Sequence, residues 1–194
     1  MRRMWRLAAE KKLAIWCVGC STGQETLSVA MTFLEQLSRW NGWSIEILGT
    51  DVSAGAVDFA CAATYSNFQI QRGLGVVQML GFFTETPQGW RAQDKLRQMV
   101  RYEVHNVLHP APYPGQFDLI LCRNVLLYFD SQVRSRAFAR LSEAVAKDGK
   151  LLLGGGETVL EKGGYFCPSE ERYALYQPLP LERRTADRRA ATAA

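Results

Sequence analysis

Short apolar runs alternate with helical patterns in the first third of the chain. Residues 13–18 form an apolar run of strand length. From Gln24 to about Trp40 the apolar side chains recur every three or four positions, which is the spacing of one helix face. Residues 43–48 then alternate between apolar and polar side chains, as in a half-buried strand, and lead into Gly49-Thr50-Asp51. A strand, a helix and a second strand are therefore predicted in this order.

The same alternation continues to residue 177. The run FDLILC at 117–122 is almost continuously apolar, which is typical of a strand buried in a parallel sheet. The pair Asp130-Ser131 is a helix N-cap signal. The further predicted elements are helices at 54–63 and 132–146, strands at 100–104 and 150–153, and a closing antiparallel hairpin at 164–167 and 172–177. Alternating strands and helices predict an α/β fold with a mostly parallel sheet.

Residues 66–99 do not follow this alternation. Glycines interrupt their apolar clusters, and Pro87-Gln88-Gly89-Trp90 is typical of a hairpin turn. We expect an inserted subdomain here, beside the sheet of a single domain that covers residues 1–182. Because the sheet is complete without it, this insertion is the expected place of substrate specificity. Residues 183–194 are expected to form a disordered tail.

The positive charge lies at the two ends of the chain. The whole sequence carries +4, but residues 1–12 carry +4, residues 183–194 carry +3, and the part between them carries −3. A folded basic face for nucleic acid is therefore not indicated. The sequence has no uninterrupted apolar run of about eighteen residues and no secretory signal pattern. A cytoplasmic location without membrane insertion is expected.

Five cysteines include one Cys-x-x-Cys pair, Cys17 and Cys20. A zinc site would need a second pair at matching spacing, which is absent from the sequence, so no metal is expected. A thioredoxin-like redox pair would lie at a helix N-terminus, whereas Cys17 lies inside the first predicted strand. Small buried thiols are the favoured interpretation.

Polar residues follow the predicted strands. The first strand passes through a turn with Gly19 and Gly23 into a helix, where free N–H groups favour ligand binding. Asp51 follows the second strand, where it could accept hydrogen bonds from ribose hydroxyls, or could cap the next helix with Ser53; both roles are compatible. Asn106 and the pair Arg123-Asn124 follow later strands. Because parallel strands end at one edge of a sheet, these side chains are expected to meet there.

The motifs exclude two classes of nucleotide-binding protein. Neither the GxGxxG of dehydrogenases nor the GxxxxGK[ST] of phosphate-loop proteins occurs. The turn Cys20-Ser21-Thr22-Gly23 contains no lysine that could neutralise phosphates. A ligand with a ribose and no polyphosphate is favoured, and S-adenosylmethionine (SAM) has this chemistry.

Several strings also resemble a known family. They are IWCVGCSTGQETLSVAM, ILGTDVS, YSNFQIQRGL, ILCRNVLLYFD and LLLGGGE. From about Leu13 to Gln177 the chain resembles the catalytic domain of the CheR-type chemotaxis receptor methyltransferases. The resemblance implies a Rossmann-like class I methyltransferase fold with a seven-stranded sheet. It further implies a monomer with SAM as cofactor, which methylates glutamate side chains on the cytoplasmic helices of chemoreceptors.

The resemblance also implies roles for individual residues. Arg123 and Tyr128 are the expected catalytic residues: Arg123 would hold the carboxylate of the acceptor or of the cofactor, and Tyr128 would orient the attacking oxygen. No general base is needed, since a glutamate is already ionised and a sulfonium carries its own leaving group. The expected cofactor-binding residues are Gly23, Glu25, Asp51, Asn106, Val107, Cys122, Arg123 and Asn124. Structural alternatives stay open for three residues: a helix-capping acid at Glu25, a turn residue at Asn106 and a core aromatic at Tyr128.

The chain departs from the family pattern in three places. The helical N-terminal domain that precedes this fold in the family is not matched. Thr26 stands in place of a proline, and Gly155-Gly156 stands in place of histidine-serine before Glu157. Two other functions are therefore considered: a non-catalytic module that binds SAM, and a methyltransferase that acts on small molecules.

Overall fold

The computed structural model describes residues 9–113, 116–159, 164–170 and 173–180. The strands are β1 (Lys12–Val18), β2 (Ser44–Asp51), β3 (Thr64–Tyr65), β4 (Phe83–Thr86), β5 (Gly89–Ala92), β6 (Val100–Val104), β7 (Phe117–Cys122), β8 (Val145–Leu153), β9 (Phe166–Pro168) and β10 (Leu175–Pro178). The helices are α1 (Gln24–Leu34), α2 (Ala54–Ala62), α3 (Asn67–Gln71), α4 (Val76–Phe82), α5 (Asp94–Arg97) and α6 (Ser131–Ala144). A short 3-10 helix spans Leu126–Tyr128.

Seven strands form one sheet in the order β6-β2-β1-β7-β8-β10-β9. The pairs β6·β2, β2·β1, β1·β7 and β7·β8 are parallel, whereas β10 pairs antiparallel with β8 and β9. The predicted class I methyltransferase topology, with a mostly parallel seven-stranded sheet and a C-terminal antiparallel hairpin, is confirmed. Because parallel strands of one sheet end on the same side, the segments after β1, β2, β6 and β7 share one edge.

The central strands of the sheet are buried on both faces. In β1, Trp16 and Val18 pack into one apolar cluster, while Ile15 and Cys17 pack into another. Successive side chains of a strand point to opposite faces of the sheet. A strand without polar residues must therefore be covered by other residues on both faces. Each such fully buried side chain contributes about 1.5–3 kcal/mol to stability. Burial on both faces fixes the register of the central strands and therefore the position of the strand ends.

Residues 64–97 form a second, three-stranded antiparallel sheet in the order β3-β5-β4, together with α3, α4 and α5. Thr86 pairs with Gly89 across the predicted hairpin turn. A β-carbon at Gly89, whose φ is 125°, would lie 2.4 Å from the carbonyl oxygen of Tyr65. A glycine is therefore required where β3 and β5 approach each other. The division of the chain into a domain with an inserted subdomain remains a prediction.

The predicted end of α1 was wrong. The helix ends at Leu34 rather than near Trp40, because the following residues form tighter turns with three-residue hydrogen bonds, such as Gln36 N–H to Phe33 O at 3.1 Å. Leu37, which continues the apolar spacing, is exposed. The spacing of apolar residues was therefore misleading over the last turn.

The predicted boundary between α6 and β8 was also wrong. The helix ends at Ala144, and the strand begins at Val145 instead of Lys150. Val145 is buried and pairs with Phe117, and an irregularity in the β7·β8 register follows before Leu119 pairs with Lys150. Pairing with a neighbouring strand thus overrides the local helical pattern. No helix of the described ranges is long and apolar enough to span a membrane. The predicted tail at 183–194 lies outside those ranges.

Candidate functional site

The turn between β1 and α1 is held by hydrogen bonds from neighbouring segments. Cys20 N–H donates to Thr50 O at 2.9 Å, and the hydroxyl of Tyr65 donates to Thr22 O at 2.8 Å. Gly19 has a φ of 65°, and a β-carbon there would lie 2.5 Å from Cγ2 of Val125. A residue without a side chain is therefore required where the turn meets the segment after β7.

Asp51 ties the first two strand ends together. Its Oδ2 accepts a hydrogen bond from Ser21 N–H at 2.9 Å, and its Oδ1 accepts one from Ser53 N–H at 3.0 Å. Ser53 caps α2, since its hydroxyl accepts from Ala56 N–H at 3.2 Å. A carboxylate has about four acceptor positions, so Asp51 retains capacity for a ligand's hydroxyl groups. The predicted capping role belongs to Ser53.

The segment after β6 continues from the end of β2. His105 N–H donates to Asp51 O at 2.9 Å. The side-chain oxygen of Asn106 accepts from Leu108 N–H at 2.9 Å, so Asn106 shapes a turn, as its structural alternative predicts. Val107 is buried. These contacts fix the backbone of 105–108 beside Asp51.

Glu157 holds the segment after β7. Its Oε1 accepts from the N–H groups of Val125, Leu126 and Leu127 at 2.9, 2.8 and 3.3 Å. Its Oε2 accepts from Asn124 and Gly154 N–H at 2.8 and 2.9 Å. One buried carboxylate therefore satisfies the free donors at the start of the 3-10 helix. It also fixes Asn124, whose φ is 59°.

The four segments enclose a cleft of about 430 Å³, the strand-end cleft. It is lined by Val18, Gly19 and Ser21 at the end of β1, by Asp51 and Val52 at the end of β2, by His105–Leu108 after β6, and by Asn124, Val125, Tyr128 and Phe129 after β7. Of the predicted site residues, the structure thus brings together Asp51, Asn106, Val107, Asn124 and Tyr128. Tyr128 is 79% exposed, so it is not a core aromatic and stands at the open side.

The other predicted site residues do not line the strand-end cleft. Gly23 lies under Tyr102 and Ala60: a β-carbon there would be 2.8 Å from the tyrosine hydroxyl and 3.0 Å from the alanine β-carbon. The Cys122 side chain is fully buried in the core, where desolvation raises the pKa of its thiol. Their predicted contacts with a cofactor remain predictions, and at Cys122 only the backbone is left to make one.

Glu25 and Arg123 form an ion pair. The pair joins the first turn of α1 to the end of β7, and Arg123 directly precedes Asn124 of the strand-end cleft. Both side chains are partly exposed, at 32% for Glu25 and 43% for Arg123, so water screens the attraction. The pair therefore contributes little to stability, and the guanidinium can exchange its carboxylate partner.

Sequence reasoning missed eight lining residues and one supporting residue. The eight are Val18, Gly19, Ser21, Val52, His105, Leu108, Val125 and Phe129. Gly19 and Ser21 belong to the predicted turn but were not assigned to the site, and His105 directly precedes Asn106. Their place after strands was the available signal. Glu157 acts on residues 30–33 positions away, and no local pattern indicates such contacts.

The thiols of the Cys-x-x-Cys pair are buried and free. Desolvation raises the pKa of both Cys17 and Cys20 to about 12. At neutral pH neither is a thiolate, the form that attacks disulfides or binds metals, so the interpretation as buried thiols is supported. Among the described residues, no group of three or more potential metal ligands is found.

The residues of the strand-end cleft fit an adenosyl ligand. The Asp51 carboxylate can accept hydrogen bonds from vicinal ribose hydroxyls. Val52, Val107, Leu108 and Phe129 offer apolar surface to a flat ring. The missing side chain at Gly19 leaves room beside Val125 for the close approach of a ligand to the backbone. The described residues that line the cleft include no lysine, which suits a ligand without phosphate.

Comparison with known proteins gives the same result. The model of the family "CheR methyltransferase, SAM binding domain" matches residues 2–174. A chemotaxis protein methyltransferase of Vibrio parahaemolyticus is 34% identical over 157 residues, which cover 79% of this chain and 57% of that protein. An uncharacterised 104.1 kDa protein of Rhodobacter capsulatus is 31% identical over 185 residues, 94% of this chain and 19% of that protein.

A solved structure of a TehB-like SAM-dependent methyltransferase from Corynebacterium glutamicum is 17% identical, with a TM-score of 0.47, over 91% of this chain and 92% of that chain. The chain spans somewhat more than half of the length of the chemotaxis methyltransferases that it matches. The family match covers most of the sequence, including all the residues that line the strand-end cleft. The chain therefore belongs to the CheR methyltransferase family as its SAM-binding domain, and its cofactor is S-adenosylmethionine.

Proposed function

We propose that the chain transfers a methyl group from SAM to glutamate side chains of chemoreceptor proteins and forms glutamyl methyl esters. Its relatives in Vibrio and Pseudomonas are named chemotaxis protein methyltransferases. The acceptor and the reaction at this chain's own site are argued from the residues beside the strand-end cleft.

The observation that carries the proposal is the carboxylate bound to Arg123. A guanidinium that already holds the carboxylate of Glu25 is a site of the right charge and geometry for an acceptor glutamate. It adjoins Asn124 of the strand-end cleft. Exchange of Glu25 for the acceptor would bring a second carboxylate to the edge of the cofactor site.

The residues need only position and desolvate the acceptor. A glutamate carboxylate is ionised at neutral pH and is itself the nucleophile, so no proton has to be removed. SAM, when bound, supplies a methyl group on a positively charged sulfur. Arg123 would orient the carboxylate, and the Tyr128 hydroxyl at the open side would donate a hydrogen bond to the oxygen that does not attack. Holding two reactants in line is a large source of rate in such a transfer.

The reaction is tested with methyl-labelled SAM and cytoplasmic fragments of chemoreceptors. The expected product releases labelled methanol on treatment with base, as a methyl ester does. The Vibrio parahaemolyticus relative serves as a parallel positive reaction. If that relative labels its receptors and this chain labels none, although calorimetry shows that it binds SAM, the proposal fails and the chain is a cofactor-binding module. Label on small molecules alone would indicate a methyltransferase that acts on small molecules.

Arg123→Ala separates the two possible partners of the guanidinium. If Arg123 holds the acceptor, methyl transfer falls by about 100-fold or more, while the affinity for S-adenosylhomocysteine changes less than about twofold. If Arg123 holds the cofactor carboxylate, the rate of methyl transfer and the affinity for S-adenosylhomocysteine fall together. Arg140→Ala is the matched control, because Arg140 forms an exposed pair with Glu143 on α6. Unchanged transfer in Arg123→Ala would remove Arg123 from the site.

A further inference from the structure

His105 lies in the wall of the strand-end cleft, between Asp51 and Asn106. Its ring packs edge-to-face against the rings of Trp16 and His109, with distances between ring centroids of 5.9 Å and 6.5 Å. Its backbone N–H donates to Asp51 O. The imidazole thus connects the buried indole under the sheet edge to the backbone that carries Asp51. The residue therefore contacts both a core aromatic and the strand end that carries Asp51.

The surroundings of the ring accept only its neutral form. Nε2 of His105 is enclosed, and the described residues offer it no hydrogen-bond partner. A neutral imidazole can leave one nitrogen as an unpaired acceptor, but a protonated ring would place an N–H donor and a positive charge there. Leaving a buried donor unpaired is unfavourable, and more so when it is charged.

The charged and titratable groups around His105 do not compensate. Desolvation of the ring and, to a smaller extent, His109 on the loop after β6 lower the pKa of His105, whereas Glu103 on β6 opposes this effect. Glu103 itself pairs with Arg101 at 3.0 Å. Asp51 at the end of β2 is engaged by two backbone N–H groups. From β1 the neighbour is the uncharged Trp16.

We infer that His105 is a positioning residue of the SAM cleft that works only as the neutral imidazole, so that binding of an S-adenosyl ligand and protonation of this ring exclude each other. A bound ligand would cover the strand-end cleft and remove water from the ring. The charged form would then be disfavoured further than in the free protein. The inference concerns the cofactor alone and does not depend on the methyl acceptor.

The sign of the pH dependence follows from linkage. Because the ligand favours the deprotonated ring, its affinity is full above the free protein's pKa of His105. It decreases as the pH falls through that pKa, by at most about tenfold per pH unit. The ordinary pKa of histidine is about 6.5, and that of His105 is lowered. The loss of affinity is therefore expected on the acid side of that value.

Proton magnetic resonance of the unmodified protein gives the direct test. The chain has two histidines, His105 and His109, so their ring signals are assigned with the variant His109→Phe. Titration with and without saturating S-adenosylhomocysteine should show that binding lowers the pKa of His105. An unchanged pKa of His105 would overturn the inference without any variant of that residue.

Calorimetry with S-adenosylhomocysteine gives the second readout. The dissociation constant of the unmodified protein and of His109→Phe should rise as the pH falls below about 6.5, with a slope that approaches about tenfold per pH unit once the pH is below the pKa of His105. His105→Phe keeps an aromatic ring against Trp16 and removes the titration, so its affinity should stay nearly constant. An equal pH dependence in His105→Phe would assign the effect to another group and refute the inference. A failure to methylate receptors would leave both readouts intact, so the two proposals fail separately.

Discussion

Glu157 accepts a hydrogen bond at 2.8 Å from the backbone N–H of Asn124, which lies 33 residues earlier in the chain. The same carboxylate also accepts from the N–H groups of Val125, Leu126, Leu127 and Gly154. It therefore joins the end of β8 to the segment that forms one wall of the strand-end cleft. A single buried anion sets the left-handed conformation of Asn124 and the start of the 3-10 helix that carries Tyr128.

Glu157→Gln should destabilise the protein and loosen the strand-end cleft. The amide keeps one acceptor oxygen and turns an NH₂ group toward backbone donors, so at least two N–H groups lose their partner. We expect a loss of about 2–4 kcal/mol in the free energy of unfolding. Urea denaturation measures it, and calorimetry should show weaker binding of S-adenosylhomocysteine by the folded variant.

The matched control is Glu143→Gln. Glu143 is an exposed carboxylate that pairs with Arg140 one helical turn away. Its replacement should change the unfolding free energy by less than about 1 kcal/mol and leave ligand binding unchanged. Equal stability of the two variants would show that the backbone contacts of Glu157 contribute nothing.

Gly19→Ala and Gly55→Ala should change stability in opposite directions. At Gly19 the added methyl group would lie 2.5 Å from Val125 Cγ2, and the φ of 65° strains any larger residue. At Gly55, in the first turn of α2, a β-carbon meets nothing within 4 Å. We expect a loss of about 1–3 kcal/mol at Gly19 and a gain of up to about 1 kcal/mol at Gly55. Urea denaturation of both variants is the measurement, and a stabilised Gly19→Ala would contradict the close approach.

The sheet could be predicted from the sequence because its strands carry strong local signals. Apolar runs such as FDLILC predict strands that are buried in a parallel sheet, and the ends of such strands must meet at one edge of the sheet. Two boundaries failed for physical reasons. Leu37 has helical spacing but lies beyond the end of α1, and Val145 continues the apolar face of α6 while pairing with β7. Contacts between segments that are distant in the chain decide where such elements end, and these contacts cannot be read from the local pattern of one sequence.

The strand-end cleft was predicted only in part. Asp51, Asn106 and Asn124 were found because polar residues directly after buried strands are local signals. Cys122 was carried over from the family motif, but its side chain points into the core. The role of Glu157 could not be found, since it rests on contacts across 30–33 residues that depend on the folded sheet.

Alkylation should distinguish buried from exposed cysteines. At about pH 8, iodoacetamide should modify Cys61, which is exposed, well before Cys17, Cys20 and Cys122. Because the pKa of Cys17 and Cys20 is raised to about 12, both thiols stay almost wholly protonated at about pH 8 and at about pH 9, so they should react slowly at either pH. Peptide mapping by mass spectrometry reads out each site. Rapid joint modification or oxidation of Cys17 and Cys20 in the native protein would instead indicate a redox pair.

Asp51→Ala should weaken binding of both SAM and S-adenosylhomocysteine. The substitution removes the acceptor proposed for the ribose hydroxyls, so calorimetry should show a loss of about 1–3 kcal/mol in binding free energy. Part of any loss could arise because Ser21 and Ser53 N–H lose their partner, so the unfolding free energy is measured in parallel. Asp58→Ala, on an exposed position of α2, is the matched control. If the folded Asp51→Ala protein binds both ligands with the affinity of the unmodified chain, the ribose of SAM does not bind at Asp51, and the strand-end cleft must hold the cofactor through its other walls.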